Sequence, residues 1–217
     1  MNQYKELCEK WRLEFLNMDL EAVIKKLPFL HLTEENLELN YMSLPHRISR
    51  ETGAVYNCVT GEQLDSFNDL MAVYHLLYYS CENPIISGKW VPFREVKMAS
   101  VFDQAFQNMI LKPFAKVFSG KLELLKSVID ELGYKKERYG DASCRIPVFD
   151  TVELILTFWD ADEEYPAQAN LLFDSRITDF THPETVVILA EVAVAQLLDK
   201  AGISFDLITY RDGERWT

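Results

Sequence analysis

The sequence predicts an α+β fold built mainly from antiparallel sheet segments with packed helices. Three features carry that expectation. Apolar residues recur at helical spacing near both ends of the chain. They alternate with polar ones at a period of two over 37–42. Residues 152–159 are apolar on both faces, as a central strand covered from both sides requires. With 217 residues, 48% hydrophobic and 12% aromatic, the chain has the material for a large core. The expected organisation is a single compact domain over 1–217, with two closely packed lobes, about 1–98 and 99–217, as the other arrangement.

In residues 3–17, Tyr4, Leu7, Cys8, Trp11 and Phe15 share one helical face. Asp19 stands as the N-cap of a second helix carrying Leu20, Val23, Ile24 and Leu27, which Pro28 ends. Leu37, Leu39 and Tyr41 then alternate against Glu38, Asn40 and Met42, and "HRIS", the turn "RETG" and "AVYNCV" continue as short antiparallel strands of a meander. Ser66 and Asp69 form a capping-box pattern before a broad apolar helix that should stop near "ENP" at 82–84. In "SGKWVPFREV", Pro92 removes a ladder donor and restricts the segment to a sheet edge or an irregular strand. A helix from about 101 must break or kink at Pro113. The next, 121–132, should end at Gly133 in the left-handed region. Two strands joined around "VFDT" follow, then a third at 170–174. Thr181 and Glu184 form a capping box for a long C-terminal helix near 182–200, expected to lie nearly buried against the sheet with a polar stripe through Glu184, Glu191 and Asp199. "SFDLITY" reads as a closing strand.

The acidic excess, 34 Asp plus Glu against 22 Lys plus Arg, gives a formal charge of -12. That charge repels nucleic-acid phosphates and anionic membranes, and no basic patch overrides it. Neither partner is expected. The charged start "MNQYKELCEKW" lacks the apolar core of an export signal, and the apolar run 186–198 is interrupted by Glu191 and too short to span a bilayer. A cytoplasmic location follows. Cys8, Cys58, Cys81 and Cys144 form no C-x-x-C pair, and His31, His46, His75 and His182 form no metal-ligand motif. Nucleotide-binding glycine motifs and G-x-S-x-G are missing from the sequence.

The stretch "FWDADEEYPAQANLLFDS" puts Asp160, Asp162, Glu163 and Glu164 directly after the two-sided apolar strand. Counted as a calcium loop from Asp160, it has Tyr165 where glycine is required and Leu171 where the bidentate acid belongs, so that motif fails. A hydrophilic turn opened by Pro166 is the simpler reading. In "GKWVPFRE", Lys89 and Arg94 are cations among aromatic side chains, able to answer the acidic loop or to stack on a ring.

The succession of an N-terminal helical pair, "TGAVYN", "LMAVYHLLYY", "SGKWVPFRE" and "FWDADEEYPAQANLLFDS" resembles the prokaryotic family catalogued as domain of unknown function 3786. "GKWVPF" and "WDADEEYPAQANLLFD" carry the resemblance most specifically. It implies a compact, soluble, single-domain bacterial or archaeal protein of unassigned activity, with no catalytic residues to transfer.

The functional expectation is a non-enzymatic binding or accessory domain for a small molecule or a protein. Its pocket would lie between the two segments and use Lys89, Trp90, Arg94, Asp160, Asp162, Glu163, Glu164 and Asp174. A metal-assisted enzyme using the acidic loop 160–164, and a structural homodimer subunit, are the alternatives. The sequence assigns neither cofactor nor metal ligand.

Overall fold

A computed structural model describes residues 3–203. The chain opens with α1 (Gln3–Leu16), which buries Trp11 and Phe15, and α2 (Leu20–Lys26), whose cap Asp19 accepts from the Ala22 amide at 3.1 Å. A four-stranded antiparallel meander follows: β1 (His31–Leu32), β2 (Asn36–Tyr41), β3 (Leu44–Ser49) and β4 (Val55–Asn57), paired in chain order. Along β2, Leu37, Leu39 and Tyr41 are buried while Glu38 and Asn40 face solvent, as the period of two requires.

The next helix, α3 (Phe67–Tyr79), begins at Ser66, whose hydroxyl accepts from the Asp69 amide, and packs on α1 and on the C-terminal helix. A second antiparallel sheet combines β5 (Trp90–Pro92), β6 (Lys135–Lys136), β7 (Ala142–Pro147), β8 (Glu153–Trp159) and β9 (Gln168–Asp174) in the order β5-β9-β8-β7-β6. Central β8 buries Leu154 through Phe158, and β5 takes the edge that Pro92 dictated.

Between β5 and β6, the break or kink expected at Pro113 takes the form of a π-helical turn just before it. Helix α4 (Asp103–Phe106) passes through a π-helical turn, Gln107–Leu111, into α5 (Lys112–Phe118). The Lys112 amide reaches back five residues to the Gln107 carbonyl, and this wider turn lets proline enter at the start of α5, where its missing donor leaves no gap. Together with α6 (Leu122–Glu131), these helices cover β9 and β7. Gly133 follows α6 at φ 69°, as its position required.

The last described helix, α7 (Pro183–Lys200), starts two residues later than the predicted cap. His182, not Thr181, accepts from the Glu184 amide, because Pro183 supplies the fixed φ of the first helical position and shifts the cap to the residue before it. Helix α7 is nearly buried, but it packs chiefly among α3, α6 and the π-helical turn rather than flat on the sheet. One cluster of buried apolar residues runs from Trp11 to Leu198. The predicted strand "SFDLITY" lies outside the described residues.

Candidate functional site

Strand register decides where the sequence-named residues stand. Trp90 pairs with Asp174 and Pro92 with Leu172, whereas Trp159 pairs with Gln168 beside the acidic turn. The six residue steps from Gln168 to Asp174 span about 20 Å of extended chain. Lys89, Trp90 and Asp174 are therefore at one end of β9, and Asp160, Asp162, Glu163 and Glu164 are at the other.

The four carboxylates splay apart. Asp160 accepts from the Gly120 amide at 2.7 Å and from its neighbour Ala161, and its own amide donates to Asp141. Asp162 caps the Glu164 and Tyr165 amides at 2.8 and 2.7 Å, which hold its carboxyl below the usual range. Glu163 and Glu164 are exposed. Among the described residues no three His, Cys, Asp or Glu side chains gather as a metal site, and neither Lys89 nor Arg94 forms an ion pair. This stretch is a capped polar turn.

At the other end, Asp174 accepts from Ser87, Gly88 and Arg176 amides and from the Ser87 hydroxyl, so its carboxylate is fully engaged in holding the loop before β5. Arg145 lies over the Trp90 ring at 5.1 Å and is shared by Glu137 and Glu153. Asp174 and Arg145 are thus both engaged by internal partners.

The less satisfied chemistry sits where α3 and α7 face each other. Glu191, at the middle of α7, is 6% exposed and accepts from Asn68 Nδ2 at 2.9 Å; Asn68, at the start of α3, is equally buried and its Oδ1 has no partner. Burial raises the Glu191 carboxyl to about 7, partly offset by the Asn68 hydrogen bond. Two cavities meet at this acid and at Phe67. The more polar one, of about 240 Å³ and mixed lining, lies under the β2–β3 hairpin, lined by Tyr41, Met42, His46, Asn68, Asp69 and Asp199 among others. An apolar one of about 340 Å³ lies between α1, α3, α4 and α7, lined by Met71, His75, Phe106, Met109, Ile110 and Ile188 among others.

The polar cavity is held by defined contacts. The Tyr41 hydroxyl donates to Asp69 Oδ1 at 2.6 Å, and burial together with that carboxylate pushes the phenol well above its ordinary range. Buried His46 has Nδ1 2.9 Å from the Leu44 carbonyl, and burial lowers its pKa. The hairpin turns through Met42 and Ser43, both left-handed at φ 50° and 64° without being glycine. Its conformation is held from outside: the Met42 amide donates to Val148, and Gln196 Nε2 donates to the Met42 carbonyl at 3.4 Å. In the apolar cavity, His75 Nδ1 meets the Thr185 hydroxyl at 2.6 Å, its Nε2 is buried without a partner, and burial depresses its pKa to about 4.

In the sequence Glu191 belongs to the narrow polar stripe of a nearly buried helix, and no motif singles out Asn68, Tyr41, His46 or Asp69 as site residues. One signal was present: Glu191 is the only charged residue within the longest apolar run of the chain, 186–198, and an acid there must be buried if the run is core.

The profile of the family described as "Domain of unknown function (DUF3786)" matches residues 19–196, so the chain belongs to that family. No curated protein and no solved structure matches it. The matched span contains Tyr41, His46, Asn68, Asp69, His75 and Glu191.

Proposed function

We propose that this family member is a cytoplasmic, non-enzymatic small-molecule-binding domain whose ligand site is the pair of cavities meeting at Glu191. The observation that carries this reading is the burial of an ionisable acid, half-matched by Asn68, at the junction of an apolar and a polar cavity. Ligand sites are commonly concave, mostly apolar and furnished with a few convergent polar groups of perturbed pKa. The hydrogen-bond partners of Glu191 and His46, an amide and a backbone carbonyl, support binding rather than catalysis, since neither group activates a nucleophile. Four free cysteines, with the buried Cys144 thiol raised to about 12, suit a reducing compartment. Among the described residues no helix is long and apolar enough to cross a membrane.

Titration with the neutral amphiphilic fluorophore N-phenyl-1-naphthylamine tests the reading. Saturable enhancement is expected, and it should be lost in Ile188→Trp, which fills the apolar cavity, provided circular dichroism shows the variant folded. Equal enhancement in a folded Ile188→Trp, or none in the wild type, would sink it.

A further inference from the structure

We infer that the ligand class of this site is a cationic amphiphile, with an apolar body in the cavity beside Phe106 and Met109 and an ammonium head against Glu191 and Asn68. The inference rests on the paired cavities being a ligand site and adds which ligand they take.

Three observations point to this ligand class, two of them to its cationic head. The first is charge: Asp69, Glu191 and Asp199 line the polar cavity, Glu184 and Glu191 line the apolar one, and no Lys or Arg is among the described residues lining either. The second is hydrogen-bond balance. Asn68 gives one of its two amide N–H donors to Glu191 while its Oδ1 is buried and unpartnered, and Tyr41 spends its hydroxyl on Asp69. Acceptors are therefore in surplus at the junction, and an ammonium brings three donors and no acceptor. The third is shape and polarity. The cavity that continues past Glu191 is lined chiefly by Met, Phe, Leu, Ile and Val side chains, which favour an alkyl or aryl body by removing it from water. A fatty carboxylate of the same shape would place a second anion beside Glu191, in surroundings that already oppose one. The chain's charge of -12 also draws cations from solution.

Calorimetric titration with n-octylamine, n-octanol and sodium octanoate at pH 8 tests the choice of head group. Octylamine is expected to bind at least tenfold more tightly than octanol, with octanoate weakest, and the amine-over-octanol ratio should collapse towards one in Glu191→Gln. A second measurement needs no variant. In the wild type the amine preference should shrink several-fold at pH 5, where Glu191 holds its proton. The groups facing Glu191 from the packed elements are Tyr41, His46, Asp69 and Asp199 on one side and Tyr4, His75 and Glu184 on the other. Octanoate binding as well as octylamine, or a preference that survives both the substitution and pH 5, overturns the inference and leaves the cavities as a ligand site. Failure of all three probes overturns the ligand-site reading itself, and this inference with it.

Discussion

Asn68 and Glu191, separated by 123 positions in sequence, are joined by a 2.9 Å hydrogen bond between two nearly buried side chains. Their bond ties the first turn of α3 to the middle of α7. Glu191 ionises at about 7 in the folded protein against 4.5 for the free side chain. Below about pH 4.5 both folded and unfolded chains hold the proton. Between there and 7 the unfolded chain releases it first, so stability falls as pH rises, and the loss is complete above the folded value. At 1.36 kcal/mol per pKa unit the loss is on the order of 3 kcal/mol. Glu191→Gln lacks this loss. Urea unfolding of both proteins from pH 4 to 8.5 should show the variant gaining on the wild type across that window, and a constant difference would contradict the buried acid.

Removing the other partner moves the acid further. The Asn68 hydrogen bond lowers the Glu191 pKa, so Asn68→Ala should raise it above 7. A ¹³C titration of the Glu191 side-chain carboxyl reads the shift directly. A fall, or no change, would mean that the amide does not stabilise the charged form.

Tyr41 and Asp69 are coupled in a similar way, through a 2.6 Å bond at the edge of the same cavity. Tyr41→Phe leaves a half-buried carboxylate oxygen without its donor and should cost about 1–3 kcal/mol by chemical denaturation. Tyr165→Phe is the control: Tyr165 is 61% exposed, and its loss should fall within about 0.5 kcal/mol. Equal effects would show that the Tyr41 hydroxyl is solvated.

Local signals were legible in the sequence where one residue's physics decides the outcome. The Asp19 and Ser66 caps, the alternation of β2, the edge position imposed by Pro92, the two-sided burial of β8 and the Gly133 turn all follow from side-chain chemistry within a few residues. The candidate site was not legible, for two reasons. Lys89, Trp90 and the acidic turn are close in composition and complementary in charge, but the antiparallel register of β9 puts them at opposite ends of one strand, and register is a pairing property. Glu191 falls at helical spacing on the stripe through Glu184 and Asp199, and only the approach of α3 turns that position inward. The β2–β3 hairpin turns on Met42 and Ser43 without glycine or asparagine, so the usual turn signal is missing.

The acidic turn should behave as its hydrogen bonds dictate. Asp160 ties the strand end to Gly120, 40 residues away in sequence, so Asp160→Ala should destabilise by about 1 kcal/mol or more. The double substitution Glu163→Gln and Glu164→Gln removes two exposed charges and should change stability by less than about 0.5 kcal/mol. Thermal unfolding with Mg²⁺, Ca²⁺ or Mn²⁺ should leave the wild type and the double variant indistinguishable. A metal-dependent rise confined to the wild type would restore the acidic turn as a cation site.

Gly140 and Gly133 separate two costs that an added methyl can carry. Both residues are left-handed, at φ 61° and 69°. At Gly133 a Cβ would meet open space, so Gly133→Ala bears only the conformational cost, about 1–2 kcal/mol. At Gly140 the same atom would stand 2.4 Å from the Phe158 carbonyl oxygen and 3.1 Å from the Trp159 ring. Phe158 is on central β8, and its carbonyl accepts from the Asp141 amide at 2.8 Å, while Asp141 in turn accepts from the Asp160 amide. Relieving the clash must therefore move the end of β8 or give up the bonds that attach it to the loop before β7. Gly140→Ala should cost at least about 3 kcal/mol, clearly more than Gly133→Ala. Equal losses in urea unfolding would mean that the backbone at Gly140 yields freely and that the close approach to β8 contributes nothing to holding the acidic turn in place.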